Sequence, residues 1–404
     1  MTYKIKLLTL SSIMFATHSF AGGYMFPELG MMSISTAGAG AQAVAEGAET
    51  SFANPAAMTE FDSTQIAFNL QRMVSDIEYT DFGSTGAFSQ GENTTQAGTA
   101  MPVASFYMVT PLNDKWSAGL AFASTGGSLI DYGDNFKGVL LLKDAQLLTA
   151  QLNPSVAYKV NQDLSIGVGL VAEYGMLEQN LAGSSQSGLP NVQADGDSFE
   201  LGYTLSALYQ LTEGHRIGFA YRSEISHDME GNISVRSNKI NSSVNIVMPA
   251  TAFVSGYHTM NEKTALLWSL GWTDFSEIEN TAISLTDRQG GINIARDWQD
   301  TFSASLGMHY QVTSDWRLES GLYYETSPQD DPQFQYPDVP TGEIWKLGMG
   351  ASYNLSSQWR MQLYYEYYYG GTPEIEYSTD NLGTLHGEYD ADIHFFGVLM
   401  NYSF

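Results

Sequence analysis

Apolar residues alternate with polar or small ones along most of the chain. Leu164, Ile166, Val168, Leu170 and Ala172 alternate with Ser165, Gly167, Gly169, Val171 and Glu173. Trp359, Met361, Leu363, Tyr365, Tyr367 and Tyr369 alternate with Arg360, Gln362, Tyr364, Glu366 and Tyr368. A period of two places each set on its own face of an extended strand. A soluble sandwich alternates as well, because one face of each sheet meets water. Here aromatic residues bound nearly every segment, and rings collect where a membrane meets water. The pattern therefore predicts transmembrane β-strands.

Six short polar turns punctuate these segments: Asn113-Asp114, Asn161-Gln162-Asp163, Thr212-Glu213-Gly214, Asn261-Glu262-Lys263, Ser314-Asp315 and Ser356-Ser357. A tyrosine closes the apolar run before each of them, at 107, 158, 209, 257, 310 and 353. A period of about 50 residues also fits a kelch-type propeller, which needs four short strands per repeat. Each repeat here holds two long ones. Six turns join twelve strands, and one more at each end predicts an all-β, 14-stranded antiparallel transmembrane β-barrel from near Gln65 to Phe404. An even count with short turns on one side fits single-chain bacterial barrels, and closure removes every exposed edge.

The N-terminus sets the compartment. Lys4 and Lys6 precede an apolar run from Leu7 to Ala16, and Ser19-Phe20-Ala21 is a small-x-small cleavage site. Residues 1–21 read as a signal peptide, too short in its apolar part to span a bilayer. No later segment has the apolar length of a transmembrane helix. Composition agrees with export to an outer membrane. Charged residues are 15 %, against roughly 25 % in ordinary globular domains. A net charge of −27 excludes a phosphate-binding footprint, so no nucleic acid is expected. With no cysteine, disulfides, thiolate metal sites and Cys nucleophiles are excluded.

Residues 22–62 break the alternation, and residues 63–404 carry the barrel. Roughly 40 residues is too long for a simple lead-in to the first strand. A disordered tail is one reading, but the segment carries Met25, Phe26, Met31, Met32, Ile34 and Phe52 with few charges. Such side chains do not stay solvated, and the glycines at 38, 40 and 47 allow close packing. The segment is expected to be a hatch (plug) inside the lumen.

At this point the sequence resembles the FadL/TodX family of outer-membrane transporters for long-chain fatty acids and aromatic hydrocarbons. The resemblance rests on Asn54-Pro55-Ala56, on Asn153-Pro154-Ser155-Val156-Ala157-Tyr158, and on Tyr221-Arg222-Ser223-Glu224-Ile225 followed by Gly231. Trp272-Thr273-Asp274-Phe275, Asp297-Trp298-Gln299-Asp300-Thr301 and the loop from Glu325-Thr326-Ser327-Pro328 to Pro337-Asp338-Val339-Pro340 follow in family order. It implies a fourteen-stranded barrel with an N-terminal hatch, capture of ligand at extracellular loops, and lateral release through a strand kink. Carried over residue by residue, Gly22, Gly23 and Tyr24 would touch ligand, with Phe26 and Phe52 beside them. Asn54, Pro55 and Ala56 match the hatch motif and serve equally well as a structural turn. The alternating end Phe396, Val398, Met400, Tyr402, Phe404 resembles the signal read by the outer-membrane assembly machinery, with Phe404 as its last residue.

Two further expectations complete the picture. Phe136, Val139, Leu140, Leu147 and Leu148 fall on one face at helical spacing, so a loop helix is expected there. Its face would line the extracellular capture groove or simply pack on neighbouring loops. Histidines at 215, 227, 258, 309, 386 and 394 are scattered, with no nucleophile elbow and no metal-spaced pair, so neither an enzyme nor a metal or cofactor site is expected. The resulting expectation is a monomeric barrel in the outer membrane of a Gram-negative bacterium, surrounded by lipopolysaccharide and other outer-membrane lipid. It would take up long-chain fatty acids passively, or neutral aromatic or alkane hydrocarbons. A porin, surface adhesin or phage receptor is the competing class.

Overall fold

A computed structural model describes residues 24–183, 190–287 and 289–404; the expected signal peptide, Gly22 and Gly23 lie outside the described residues. The chain forms one antiparallel sheet that closes on itself, with fourteen crossings. The first, β1, is Gln65–Asp81, and β2 is Ala100–Pro111 with an outer extension at Thr94–Gln96. The third, β3, runs Trp116–Ala123 and resumes at Gly127–Asp131. Then come β4 (Asp144–Lys159), β5 (Leu164–Leu181) and β6 (Val192–Thr212). Three interrupted crossings follow: β7 (His215–Arg222, Ile225–Val235), β8 (Asn238–Met248, Thr251–Asn261) and β9 (Thr264–Thr273, Asn280–Leu285). The rest are β10 (Gly291–Ala295, Thr301–Gln311), β11 (Trp316–Glu325), β12 (Ile344–Asn354), β13 (Trp359–Tyr369, Glu374–Thr379) and β14 (Gly383–Ser403).

All six polar turns fall between consecutive strands, and β1 pairs with β14 from Gln65↔Ser403 to Asp81↔Gly387. Closure satisfies the backbone groups that a bilayer could not. The alternation sorts as the sequence requires. On β5, Ser165, Val171 and Glu173 point inward and are buried, while Ile166, Val168 and Leu170 are exposed to the lipid side. Strands of 17 to 21 residues exceed the 9–11 or so needed to cross a bilayer, so β1, β5, β6 and β14 rise well above it. Aromatic pairs such as Trp116–Tyr158, Trp316–Tyr353 and Trp359–Tyr402 brace neighbouring strands beside the short turns, the periplasmic interface of such barrels. No helix among the described residues is long and apolar enough to cross a membrane.

The expected loop helix is absent. Asp134–Leu142 is a succession of turns, and Leu147 and Leu148 belong to β4, one buried and one outward. The helical spacing of Phe136, Val139 and Leu140 has another cause. Phe136 stacks on Tyr132 at 4.0 Å and meets Tyr79 edge-on at 5.1 Å, so its position follows ring packing among loops. Beyond that point Ala145, Leu147, Thr149 and Gln151 are buried with period two.

Candidate functional site

The site begins as a defect in the wall. β2 and β3 pair from Phe106↔Phe122 to Pro111↔Ser117. Above that level Ala100–Ser105 of β2 pair only with β1, and Gly127–Asp131 of β3 pair only with β4. The two strands rejoin near the top, where Thr99 Oγ1 donates to the Leu129 carbonyl at 2.8 Å. A slot is left between them. Ser124-Thr125-Gly126 is the break that opens it, and Pro102, which lacks an N–H, sits on its free edge.

The N-terminal segment contacts both edges of this slot. The Phe26 N–H donates to the Thr125 carbonyl at 2.8 Å, the Gly127 N–H donates to the Tyr24 carbonyl at 3.1 Å, and Met25 pairs with Gly126. From the β2 side, Ser105 Oγ donates to the Leu29 carbonyl at 3.1 Å and Tyr107 Oη to the Gly30 carbonyl at 2.6 Å. A Cβ on Gly30 would meet the Ser124 carbonyl at 2.5 Å and the Phe52 ring at 2.7 Å, so glycine is required for this approach. Tyr24 donates to the Val247 carbonyl at 2.5 Å and its ring lies 6.0 Å from that of Trp298. Burial pushes the Tyr24 phenol above its usual range, which keeps it a donor. Phe26 packs against Tyr368 and Phe395 at 5.9 and 6.3 Å.

Residues 47–58 are largely buried against inward-facing wall residues. Phe52 is fully buried, edge-on to Tyr107. Asn54 caps the turn Pro55–Glu60 by accepting from the Ala56 N–H at 3.0 Å, while its Nδ2 donates to the carbonyls of Gln42 at 2.6 Å and Ala207 at 3.1 Å. Ala56 also donates to Ser206 Oγ at 3.0 Å, and a Cβ on Gly167 would strike its nitrogen. Near the periplasmic turns the contacts become ionic. Glu46 lies 2.5 Å from Arg317 and 2.9 Å from Arg360. Burial alone would raise the Glu46 carboxyl, but Arg317, then Arg360 and His309, hold it well below the usual carboxylate range.

Two cavities of about 40 Å³ each flank Pro27 and Met31. One lies against Ile34, Tyr323 and Lys346; the other against Thr125, Arg222, Ile225 and Met248; Phe253 borders both. Lys346 is paired with Glu28 of the segment and packs over the Tyr323 ring at 4.3 Å. Above Tyr24, Arg296 grips Asp338 with both terminal nitrogens and donates Nε to Thr281 at 3.0 Å. Burial works against the charged Arg296, but Asp338 outweighs it and raises its pKa. In the loops, Phe136 and Leu140 are closed under Tyr79, Tyr132, Tyr336 and Tyr389.

Of the residues singled out from sequence, Tyr24, Phe26, Phe52, Asn54, Pro55 and Ala56 all lie in the lumen, in separate clusters; Phe136, Val139 and Leu140 stand apart in the loops, whereas Leu147 packs in the same cluster as Tyr24. Phe404 ends β14, exposed, with its N–H on the Thr64 carbonyl at 3.0 Å and its ring against Tyr402. Sequence reasoning missed Arg222, Lys346 and Arg296 as lumen residues. Inward period-two positions were the available signal for the first two.

The family model described as "Outer membrane protein transport protein (OMPP1/FadL/TodX)" matches residues 12–404. The chain is 22 % identical to the long-chain fatty acid transport protein of Escherichia coli K12, over 98 % of each. The solved structure of a Pseudomonas aeruginosa FadL homologue superposes with a TM-score of 0.85 at 20 % identity, covering 95 % of this chain and all of that one. The Ralstonia pickettii toluene transporter TbuX superposes with a TM-score of 0.71 at 15 % identity, covering 93 % and 98 %.

Proposed function

This chain belongs to the OMPP1/FadL/TodX family of outer-membrane transport proteins, channels rather than enzymes, and from that premise we propose that it takes up long-chain fatty acids passively. In this reading, ligand is caught at the extracellular loops around Phe136, Val139 and Leu140. It moves down to the cavities beside Pro27 and Met31, then leaves laterally between β2 and β3. Residues 22–62 act as the hatch. The observation that carries the reading is the slot between β2 and β3, bridged by residues 24–30 through backbone hydrogen bonds to the β3 edge and through side-chain hydrogen bonds from Ser105 and Tyr107 of β2. A segment held there can withdraw without disturbing the ladder of the other strands. An alkyl chain entering the vacated space gains roughly 0.8 kcal/mol per buried methylene.

The fatty-acid relatives support the cargo, and the apolar lining of Met25, Met31, Val171, Ile225, Met248 and Phe253 suits the tail. That same lining favours a second reading, neutral aromatic or alkane hydrocarbons. Uptake of labelled oleate, hexadecane and toluene by a deletion strain and its complemented parent tests both. A rate for all three that is independent of the protein would sink the transport role.

A further inference from the structure

We propose that Glu28 and Glu366 form a proton-binding site: the pair holds one proton while the N-terminal segment is seated and gives it up when the segment leaves. This rests on the reading above, in which residues 24–30 withdraw from the slot during transport. Glu28 belongs to the short turn Pro27–Leu29 of the segment, and Glu366 points inward from β13. Both border the cavity beside Pro27 and Ile34, and both are buried. Glu366 lies within hydrogen-bond reach of Glu28.

Two carboxyl groups hydrogen-bond to each other only when one of them carries a proton, because an ionised carboxylate has acceptors alone. The surroundings supply no substitute. Among the described residues, neither oxygen of Glu366 nor Oε2 of Glu28 receives a donor from the protein. Lys346 of β12 is paired with Glu28 Oε1, and its ammonium packs over the rings of Tyr323 and Tyr368 at 4.3 and 5.2 Å. The remaining acid on this side, Glu325 of β11, accepts from Thr301 Oγ1 at 2.6 Å and from Tyr323 Oη at 2.5 Å. Two acids thus face one cation across the cavity, and a single proton makes the group neutral. A second enclosed negative charge without a partner would be costly.

Withdrawal changes the count. Glu28 leaves with the segment and enters water, and Lys346 is left beside Glu366 alone. Each carboxyl is then ionised above the ordinary glutamate range of about 4.3. The seated state binds one more proton than the withdrawn state, so seating is favoured at low pH and weakens as pH rises. For one proton the ratio of withdrawn to seated protein grows about tenfold per pH unit. Glu46, Glu49 and His309 also meet at the segment, near the periplasmic turns. They are common to wild type and variants, so a difference between the two isolates the pair.

The test places a single cysteine at buried Leu29, next to Glu28, in the full barrel in nanodiscs. Its rate of modification by a membrane-impermeant maleimide is divided by the rate for the same cysteine in boiled protein at each pH, which removes the titration of the thiol itself. From about pH 6 to about pH 8 the ratio should rise about tenfold per pH unit in the otherwise wild-type chain. Glu366→Gln and Glu28→Gln carry amides that donate without a titrating proton, and each should flatten the rise to less than about twofold over the range. A slope that survives in either folded variant overturns the inference, as does wild-type opening that is measurable yet flat or falling with pH; both leave withdrawal of the segment standing. Uptake of labelled oleate with no modification at any pH refutes withdrawal itself. Should Glu366→Gln fail the unboiled-versus-boiled gel check, Glu28→Gln decides, because it lies on the segment and outside the strand ladder.

Discussion

Replacing Phe26 by alanine should open the channel without weakening the barrel. The Phe26 ring is buried, and its aromatic partners, Tyr368 and Phe395, belong to β13 and β14. Truncating a buried Phe costs about 3–5 kcal/mol, including the cavity left behind. The wall keeps its strand ladder in the variant, so that cost falls on the contact between segment and wall. At the lower figure the population with the segment withdrawn rises on the order of 100-fold. Two assays separate the segment from the barrel. Liposome swelling by small sugars reports withdrawal, and the temperature at which the unboiled gel band converts to the boiled one reports the barrel. The expected outcome is faster swelling with the conversion temperature nearly unchanged. A lowered conversion temperature with no added permeability would refute the reasoning, because Phe26 would then belong to the wall.

Four further outcomes follow from the same contacts. Asn54→Ala leaves the Gln42 and Ala207 carbonyls without their donor and should loosen the turn by about 1–3 kcal/mol, read as protease cleavage within residues 24–62 of a barrel that still shows heat-modifiable migration. Glu46 is held below its ordinary value of 4.5, so its stabilisation is present above that pH and is lost as pH falls below it. Ion leak should therefore rise on acidification below about pH 4, and Glu46→Gln should leak at pH 7 and lose that pH step. Deleting residues 22–62 should leave a folded barrel that passes small polar solutes; a deletion variant tight to sugars would refute the plug. Deleting Phe404 should reduce the fraction of chain assembled in the outer membrane, measured by heat-modifiable migration in membrane fractions.

How much of this was legible in the sequence depends on how local each signal is. Strand number and register follow from turns such as Asn161-Gln162-Asp163 and from alternation within single segments, and neither needs a distant partner. The slot between β2 and β3 is different. Ser124-Thr125-Gly126 reads as an ordinary polar interruption, and its meaning comes from Tyr24 and Phe26, about a hundred positions earlier in the chain. The 134–148 stretch misled because aromatic packing reproduced a helical spacing over a few residues. Arg222 sat within a recognised motif, yet its lack of an acidic partner is a property of the assembled lumen, where Gln151 of β4 stands between it and Glu173 of β5.

The account turns on residues 24–26 leaving the slot during transport, and a reversible staple tests that motion directly. The chain has no cysteine, so Met25→Cys with Gly126→Cys introduces the only thiols. The two positions face each other in an antiparallel bridge, which sets their Cα atoms about 4.5–5.5 Å apart, within the span of a disulfide. A Cβ at Gly126 meets the flexible end of Met248 at 3.0 Å and Thr149 Cγ2 at an ordinary 3.5 Å. Uptake of labelled oleate should fall to the fraction of protein left uncrosslinked and recover fully with dithiothreitol. Full uptake by quantitatively crosslinked protein would contradict lateral release past the N-terminal segment.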